Sequence, residues 1–276
     1  MAKRFITPIL NISWNIISVS LFPIINSDEF ENIIRKFDPD KTLPYPDADP
    51  GNEAVAKWGS TGSDAGMLNG PSGIHFDSND TLFVVDSKND RIQQFTKDGD
   101  YLSSFGGSGT GHGQFNRPWG ITIDNNGDIY IADWGNHRVQ KFSPEGKFLM
   151  TFGTEFGGEL KHPANVAVDS EGDVYVTDWG NRRVQVYEPT GDVLTSFYGD
   201  ATSLSKAGEY IIRRDPGTIK AYRQVKDYTE MGRFMRPTGI EIDNNNHIIV
   251  ADSCGRLQVY VKDCAYVEPE VKLELE

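Results

Sequence analysis

The chain is poor in cysteine and in basic residues. Its 276 residues include only two cysteines, and 27 Lys and Arg stand against 40 Asp and Glu, which gives a formal net charge of −13. Two cysteines cannot provide the ligands of a RING-type zinc site. An acidic surface repels phosphate backbones, so we expect no nucleic-acid partner.

The two cysteines, Cys254 and Cys264, flank the predicted strand Arg256–Lys262. An extended chain covers about 3.3 Å per residue, so the thiols are expected at opposite ends of the strand, too far apart for a disulfide. Unpaired thiols favour a reducing, cytoplasmic compartment, and secretion is the alternative.

The chain also lacks a long uninterrupted hydrophobic run. Lys3-Arg4 and the apolar residues at 5–25 superficially resemble a signal peptide, but Pro8, Asn11 and Pro23 interrupt them. We therefore expect no stable membrane span. Blade strands are the favoured interpretation of this segment, and a signal peptide is the alternative.

What the chain does contain is one unit written four times. The copies are Pro71–Phe95, Pro118–Phe142, Pro163–Tyr187 and Pro237–Tyr260. The Asp that ends the second strand of each copy recurs at spacings of 47, 45 and 74 residues, at Asp86, Asp133, Asp178 and Asp252. A period of about 40–45 residues with four short strands is typical of a propeller blade.

One copy shows the strands. Ile121–Ile123, Ile129–Ala132, Arg138–Phe142 and Phe148–Phe152 are short β-rich runs separated by Asp-, Asn- and Gly-containing turns. No run in the repeats has helical period, so the sequence predicts an all-β fold.

A fifth, degenerate copy precedes the four, because Trp14–Phe37 matches Trp119–Phe142 at an offset of 105 residues. We expect one domain over 1–276. Its predicted parts are a degenerate first blade at 1–59, later blades at 60–107, 108–154, 155–200 and 236–276, and a helical insertion at 201–235.

The repeated residues resemble the NHL repeat family, whose unit reads P-x-G-I-x-V-D, x-Y-V-x-D and N-x-R-I-Q-x-F. The resemblance implies a β-propeller, usually with six blades, whereas only five four-stranded blades can be counted here. Either a blade is lost, or the ring closes with fewer blades, or a partner covers a gap. An open blade edge would favour a homo-oligomer.

Residues that recur in every blade are best explained by folding. Arg91, Arg138, Arg183 and Arg256 recur with the four aspartates and are expected to form ionic links at the top of each blade. Functional residues are expected where the repetition breaks. On the top face these are Trp119, Trp134, His137, Trp179 and Arg182, and packing between blades is the alternative role of the tryptophans.

The insertion Ala201–Met235 is the largest break. It holds seven Lys or Arg and four Asp or Glu, so it is basic within an acidic chain. Asp215-Pro216 predicts a helix start, and we expect a helical cap over the channel mouth. Arg213, Arg214 and Arg223 are the ligand-binding candidates in it.

Catalytic, metal and cofactor sites are not expected. Asp124–Asp128 resembles a calcium loop but recurs as a hairpin turn. The related amidating lyases hold zinc with His after the blade-opening Pro, a position filled here by Ser72, Trp119, Ala164 and Thr238. His75 and Glu241, at one first-strand position in two blades, are a weak candidate acid–base pair.

The sequence thus predicts a non-catalytic binding or scaffold propeller. Its expected partner is a protein, a peptide or an anionic small ligand on the top face. A hydrolase or lyase with a site at the central channel is the alternative, so an enzymatic role stays open. This step rests on family analogy, because fold alone does not give function.

Overall fold

The computed structural model describes residues 6–12, 24–37, 56–199 and 233–262. In these ranges the chain forms five antiparallel sheets, called blades 1 to 5 below. Within each sheet consecutive strands of the chain pair with one another, as expected for segments joined by tight turns, and β1 is the exception. No helix of the described residues is long and apolar enough to cross a membrane.

The strands of the first three blades follow one another in chain order. Blade 1 contains β2 (Ile24–Asp28), β3 (Ile33–Phe37) and β4 (Ala56–Trp58). Blade 2 contains β5 (Pro71–Phe76), β6 (Thr81–Asp86), β7 (Arg91–Thr96) and β8 (Tyr101–Gly106). Blade 3 contains β9 (Pro118–Ile123), β10 (Ile129–Asp133), β11 (Arg138–Phe142) and β12 (Phe148–Phe152).

Blade 4 keeps the chain order, and blade 5 combines the first described strand with the last three. Blade 4 contains β13 (Pro163–Val168), β14 (Val174–Asp178), β15 (Arg183–Tyr187) and β16 (Val193–Phe197). Blade 5 contains β17 (Pro237–Ile242), β18 (His247–Asp252), β19 (Arg256–Lys262) and, as its outer strand, β1 (Ile6–Ile12). Short 3-10 turns follow β6, β10 and β14 at Ser87–Asn89, Trp134–Asn136 and Trp179–Asn181.

The position of β1 corrects the sequence reading, which assigned residues 1–59 to the first blade. β1 pairs antiparallel with β19, with Ile6 opposite Lys262 and Ile12 opposite Leu257. The pairing covers an edge of β19 that would otherwise present free N–H and C=O groups. Its register shifts between Pro8 and Leu10, where proline has no N–H to donate.

The five described blades are arranged around one cavity. The first strands β5, β9, β13 and β17 lie side by side in that order, and residues of all five blades line one cavity at their starts. The described strands therefore make up five blades, the number counted in the sequence. β1 covers the outer edge of blade 5, and a homo-oligomer through an open blade edge stays a prediction.

The hydrophobic core lies between neighbouring blades. Tyr130 and Phe152 of blade 3 pack with Val174 and Tyr187 of blade 4, and the other clusters repeat this arrangement. Gly120 permits close approach at the channel mouth, because a Cβ there would lie 2.6 Å from the Ala164 carbonyl oxygen. The P-x-G motif thus serves packing around the channel.

The turn that resembles a calcium loop is a hairpin. Asp124 Oδ1 accepts hydrogen bonds from the backbone N–H groups of Asn126 and Asp128, at 2.8 and 3.0 Å. Its other oxygen accepts from the Tyr130 hydroxyl at 3.1 Å. The carboxylate is therefore used to close the turn.

The predicted helical insertion falls largely outside the described residues, which resume at Arg233 after Gly199. Arg213, Arg214 and Arg223 lie in that undescribed part. Its two ends meet, because the Phe234 N–H donates to the Tyr198 carbonyl oxygen at 2.8 Å. The insertion therefore leaves and re-enters between blades 4 and 5.

Candidate functional site

The top face carries a buried network at the end of each blade, formed by the recurrent Asp and Arg. Asp86 Oδ2 accepts from Arg91 Nε at 2.8 Å, and Asp86 Oδ1 accepts from the Asn69 N–H at 2.6 Å. Equivalent ion pairs join Asp133 to Arg138 and Asp178 to Arg183, each at 2.9 Å. The predicted ionic links are confirmed, and their burial assigns them to folding.

Blade 5 departs from this network because its turn is one residue shorter. The Cys254 thiol donates to Asp252 Oδ2 at 3.0 Å, and Arg256 Nε donates to the Cys254 sulfur at 2.9 Å. Burial and the neighbouring carboxylate raise the pKa of Cys254. A raised pKa disfavours the thiolate, so Cys254 is a poor candidate nucleophile.

A second recurring contact joins consecutive blades. In blades 1, 2 and 3 the residue before the third strand has a left-handed backbone, and its side chain accepts a hydrogen bond from the N–H of the residue before the next blade-opening Pro. Asn32 accepts from Gly70 and Asp90 accepts from Arg117, each at 2.6 Å. In blade 3 the acceptor is His137 Nδ1, which receives the His162 N–H at 3.1 Å.

Four rings form a continuous aromatic row across the top of blades 3 and 4, made of Trp119, Trp134, His162 and Trp179. The ring centroids of Trp119 and Trp134 are 6.1 Å apart, and those of Trp134 and Trp179 are 6.4 Å apart. His162 stacks on Trp134 at 4.1 Å. The Arg236 guanidinium of blade 5 lies 4.0 Å from the Trp179 ring centroid and extends the row.

The row keeps a large part of its surface in solvent. Trp119 is 47% exposed, Trp134, His162 and Trp179 are partly exposed, and Arg236 is exposed. Exposed aromatic rings grouped on one face are typical of binding surfaces. Trp134 and Trp179 also contact the next blade, through His162 and Arg236, so the row combines packing between blades with exposure to solvent.

Exposed basic residues accompany the row although the chain is acidic. Arg117, Lys161 and Arg236 are exposed near it, and none of the three forms an ion pair with a described carboxylate. Burial, followed by the charges of His162 and Lys161, lowers the pKa of His137 below its usual value. The nearby Asp133 and Asp178 are buried and already paired with arginines.

A cavity of about 370 Å³ opens at the channel mouth beside this row. Its lining includes the residues that follow the blade-opening prolines, together with side chains of blade 1. The lining residues are Ser27, Glu29, Pro71, Ser72, Gly73, Trp119, Gly120, Ala164, Asn165 and Thr238. Trp119 belongs to both the cavity and the aromatic row, so the two form one surface.

Comparison with known proteins identifies the repeat. The NHL repeat model matches residues 68–95, 115–142, 160–187 and 234–260. These matches contain all four of the units found in the sequence.

The chain is an NHL-repeat protein.

Solved structures support the propeller fold. Glutaminyl cyclase from Myxococcus xanthus is similar over 94% of this chain and 97% of its own, with 12% identity and a TM-score of 0.51. Virginiamycin B lyase from Staphylococcus aureus matches over 93% of this chain and 74% of its own, with 14% identity and a TM-score of 0.49. At such identities the likeness concerns fold alone. No curated protein sequence matches the chain significantly.

No described contact joins the weak acid–base candidates of this NHL-repeat protein. His75 is on β5 of blade 2 and Glu241 on β17 of blade 5, and these blades are not neighbours. Burial lowers the pKa of His75 to about 4 and raises the pKa of Glu241, and neither group shifts the other. The described residues contain no cluster of His, Cys, Asp and Glu that could hold a metal ion.

The other predicted site residues divide into two groups. Trp119, Trp134, His137 and Trp179 lie together, whereas Arg182 is exposed at the next turn without a described partner. Sequence reasoning missed His162 and Arg236 as members of the row. The sequence signal was weak, because blade 2, which has Ser87 in place of the Trp, is also followed by a cationic residue, Arg117, before the next proline.

Proposed function

We propose that this NHL-repeat protein is a non-catalytic binding module, and that its top face takes an acidic segment of a peptide or protein. One observation carries the proposal. The aromatic row from Trp119 to Trp179 is partly exposed and is flanked by cations that have no carboxylate partner among the described residues. Such a surface supplies apolar contact area and charge complementarity to an acidic chain.

The spacing of the row fits an extended segment. Successive separations are 6.1, 6.4 and 4.0 Å from Trp119 to Arg236, and an extended chain advances about 3.3 Å per residue. The row therefore corresponds to about five residues of ligand. Tryptophan and arginine are the residues most often found as hot spots in interfaces.

An enzymatic role receives less support. His75 and Glu241 are carried by blades that are not neighbours, and the similar enzymes share the fold without close sequence identity. A small anion is an alternative ligand of the same cations, and it is distinguished from a peptide by the competition measurement below.

Selection from a displayed library of random peptides tests the proposal. Selected peptides are expected to be acidic and to bind Trp134→Ala about thirty-fold more weakly than wild type, the equivalent of about 2 kcal/mol lost at a hot spot. Leu149→Ala, on the outer strand of blade 3, is the matched control and should bind as wild type does. Circular dichroism confirms that each variant is folded.

Two results would overturn the proposal. One is equal affinity of the selected peptides for wild type and Trp134→Ala, which would move binding away from the row. The other is displacement of the peptides by citrate alone at concentrations where an uncharged polyol has no effect, which would make a small anion the ligand.

A further inference from the structure

From the cavity at the channel mouth we infer that it is a subsite for an ammonium group, and that it holds the free amino terminus of the bound segment. The inference deepens the proposed function and rests on it. It concerns a part of the top face that has a different chemistry from the aromatic row.

The charge of the cavity is opposite to that of the row. Among its described lining residues Glu29 is the one charged group, and the others are hydroxyl, amide, glycine, alanine, proline and tryptophan residues. Glu29 is exposed and has no hydrogen bond or ion pair with any described residue. Its carboxylate is therefore available to a cation from solution.

Glu29 stands where the repeat is broken. It follows Asp28, in the place taken by Trp134 and Trp179 in blades 3 and 4. Asp28 itself is occupied, because its Oδ2 pairs with Arg35 Nη1 at 2.6 Å. Asp28 thus forms the ion pair within blade 1, and Glu29 is the carboxylate that lines the cavity.

The remaining lining suits an ammonium group. Trp119 offers a partly exposed indole ring, and a cation over an indole is attracted by its negative face. The hydroxyls of Ser27 and Ser72 already donate to backbone carbonyls, at 2.6 and 2.8 Å, so their lone pairs remain as acceptors. An ammonium group needs three acceptors and no donor.

The dimensions match a chain terminus. A volume of about 370 Å³ falls within the usual range of small-ligand pockets, and it holds one or two residues rather than a passing chain. Trp119 joins the cavity to the row. A segment with its amino terminus at Glu29 therefore continues over Trp119 and Trp134, where its carboxylates reach the unpaired cations.

Synthetic pentapeptides of glutamate and tyrosine, each with a free and an acetylated amino terminus, test the inference by calorimetry at about pH 7. At that pH an α-amino group, with a usual pKa near 7.7–8.0, is mostly charged. Wild type is expected to prefer the free amine at least ten-fold. Glu29→Gln should abolish the preference, because it removes the charge and keeps the shape.

Two further variants separate the subsite from the row. Glu31→Gln removes a neighbouring carboxylate that pairs with Arg35, and it should leave the preference intact. Arg236→Gln should weaken both peptide forms by the same factor and also leave the preference intact. The ratio between free and acetylated forms thus reports on Glu29, whereas the absolute affinity reports on the row.

The outcomes distinguish the two proposals. Equal binding of the free and acetylated peptides, or a preference that survives in Glu29→Gln, overturns the ammonium subsite and leaves the row as a binding surface. Failure of wild type to bind either form, or any peptide from the library, overturns the proposed function and the subsite with it.

Discussion

The blade-end network and the aromatic row lie on the same face, a few residues apart in the chain, and they differ in both repetition and exposure. Asp86, Asp133 and Asp178 recur with the same partners and are fully buried. Trp134 and Trp179 occur in two blades and stay partly in solvent. Repetition with burial therefore indicates folding, and the proposed binding surface lies where a break in the repetition coincides with exposure.

A break in the repetition does not by itself indicate a binding residue. Lys262 of blade 5 contacts three carboxylates of the blade 4 hairpin, Asp169, Glu171 and Asp173, at 2.7, 2.9 and 2.6 Å. In blade 3 the corresponding Asp128 pairs with Lys141 of its own blade. Lys262 is buried, so this break serves folding, and burial is the stronger criterion.

The largest expected effect is in the network. Asp133→Ala removes the acceptor of Arg138, Asn136 and the Asn116 N–H and leaves a buried guanidinium without its carboxylate. We expect a loss of about 4 kcal/mol in the free energy of unfolding, as for other broken buried pairs. Urea denaturation measures it.

The neighbouring Trp134→Ala is the comparison for this variant. Because Trp134 is partly in solvent, it should lose much less stability than Asp133→Ala while losing peptide binding. Equal losses of stability in the two variants would show that the row, like the network, serves folding.

The Lys262 cluster gives the next largest effect. Lys262→Met removes a cation from two buried carboxylates, and we expect a loss of about 3 kcal/mol in the free energy of unfolding. Lys97→Met breaks an exposed pair with Asp80 at 3.5 Å and should cost less than about 0.5 kcal/mol. If both variants unfold at the same urea concentration, the buried ion pairs of Lys262 do not stabilise the fold more than the exposed pair of Lys97 does.

Much of the fold follows from local sequence. The aspartate spacing predicts the four repeats, and the predicted strands Arg138–Phe142 and Phe148–Phe152 coincide with β11 and β12. Strands joined by short turns leave a short-range pattern in the sequence. The pairing of β1 with β19 leaves none, because it joins the two ends of the chain and Pro8 and Asn11 interrupt the alternation of Ile6–Ile12.

The candidate site could be predicted in part, because the repeats can be compared position by position in the sequence. Breaks in the repeat identify Trp119, Trp134 and Trp179, since each position can be compared with its equivalents in other blades. The stacking of His162 on Trp134 and of Arg236 on Trp179 depends on how consecutive blades are placed, which no single repeat encodes. The cavity is lined by residues of all five blades, so it cannot be recognised in the sequence of a single repeat.

The smallest expected effect is the pH dependence of stability that comes from His137, which lies beside the row. His137 Nδ1 accepts the His162 N–H, so protonation of His137 at this nitrogen breaks the contact between blades 3 and 4. Because the folded pKa is lowered, the unfolded chain binds more protons, and stability rises with pH. The stability contributed by this hydrogen bond is complete above the pKa of histidine in the unfolded chain, about 6.5. It is lost as the pH falls through the pKa of His137 in the folded chain.

His137→Asn sharpens this last prediction, because Asn32 shows that asparagine accepts the same hydrogen bond in blade 1. Asparagine also tolerates the left-handed backbone and does not titrate. Wild type should lose stability relative to this variant below about pH 6.5, by less than about 0.5 kcal/mol because His137 is exposed. An NMR titration of the His137 ring gives the pKa directly. A value at or above 6.5 would show that the positive charges of the row do not act on His137, and the case for an acidic ligand would then lose its electrostatic support.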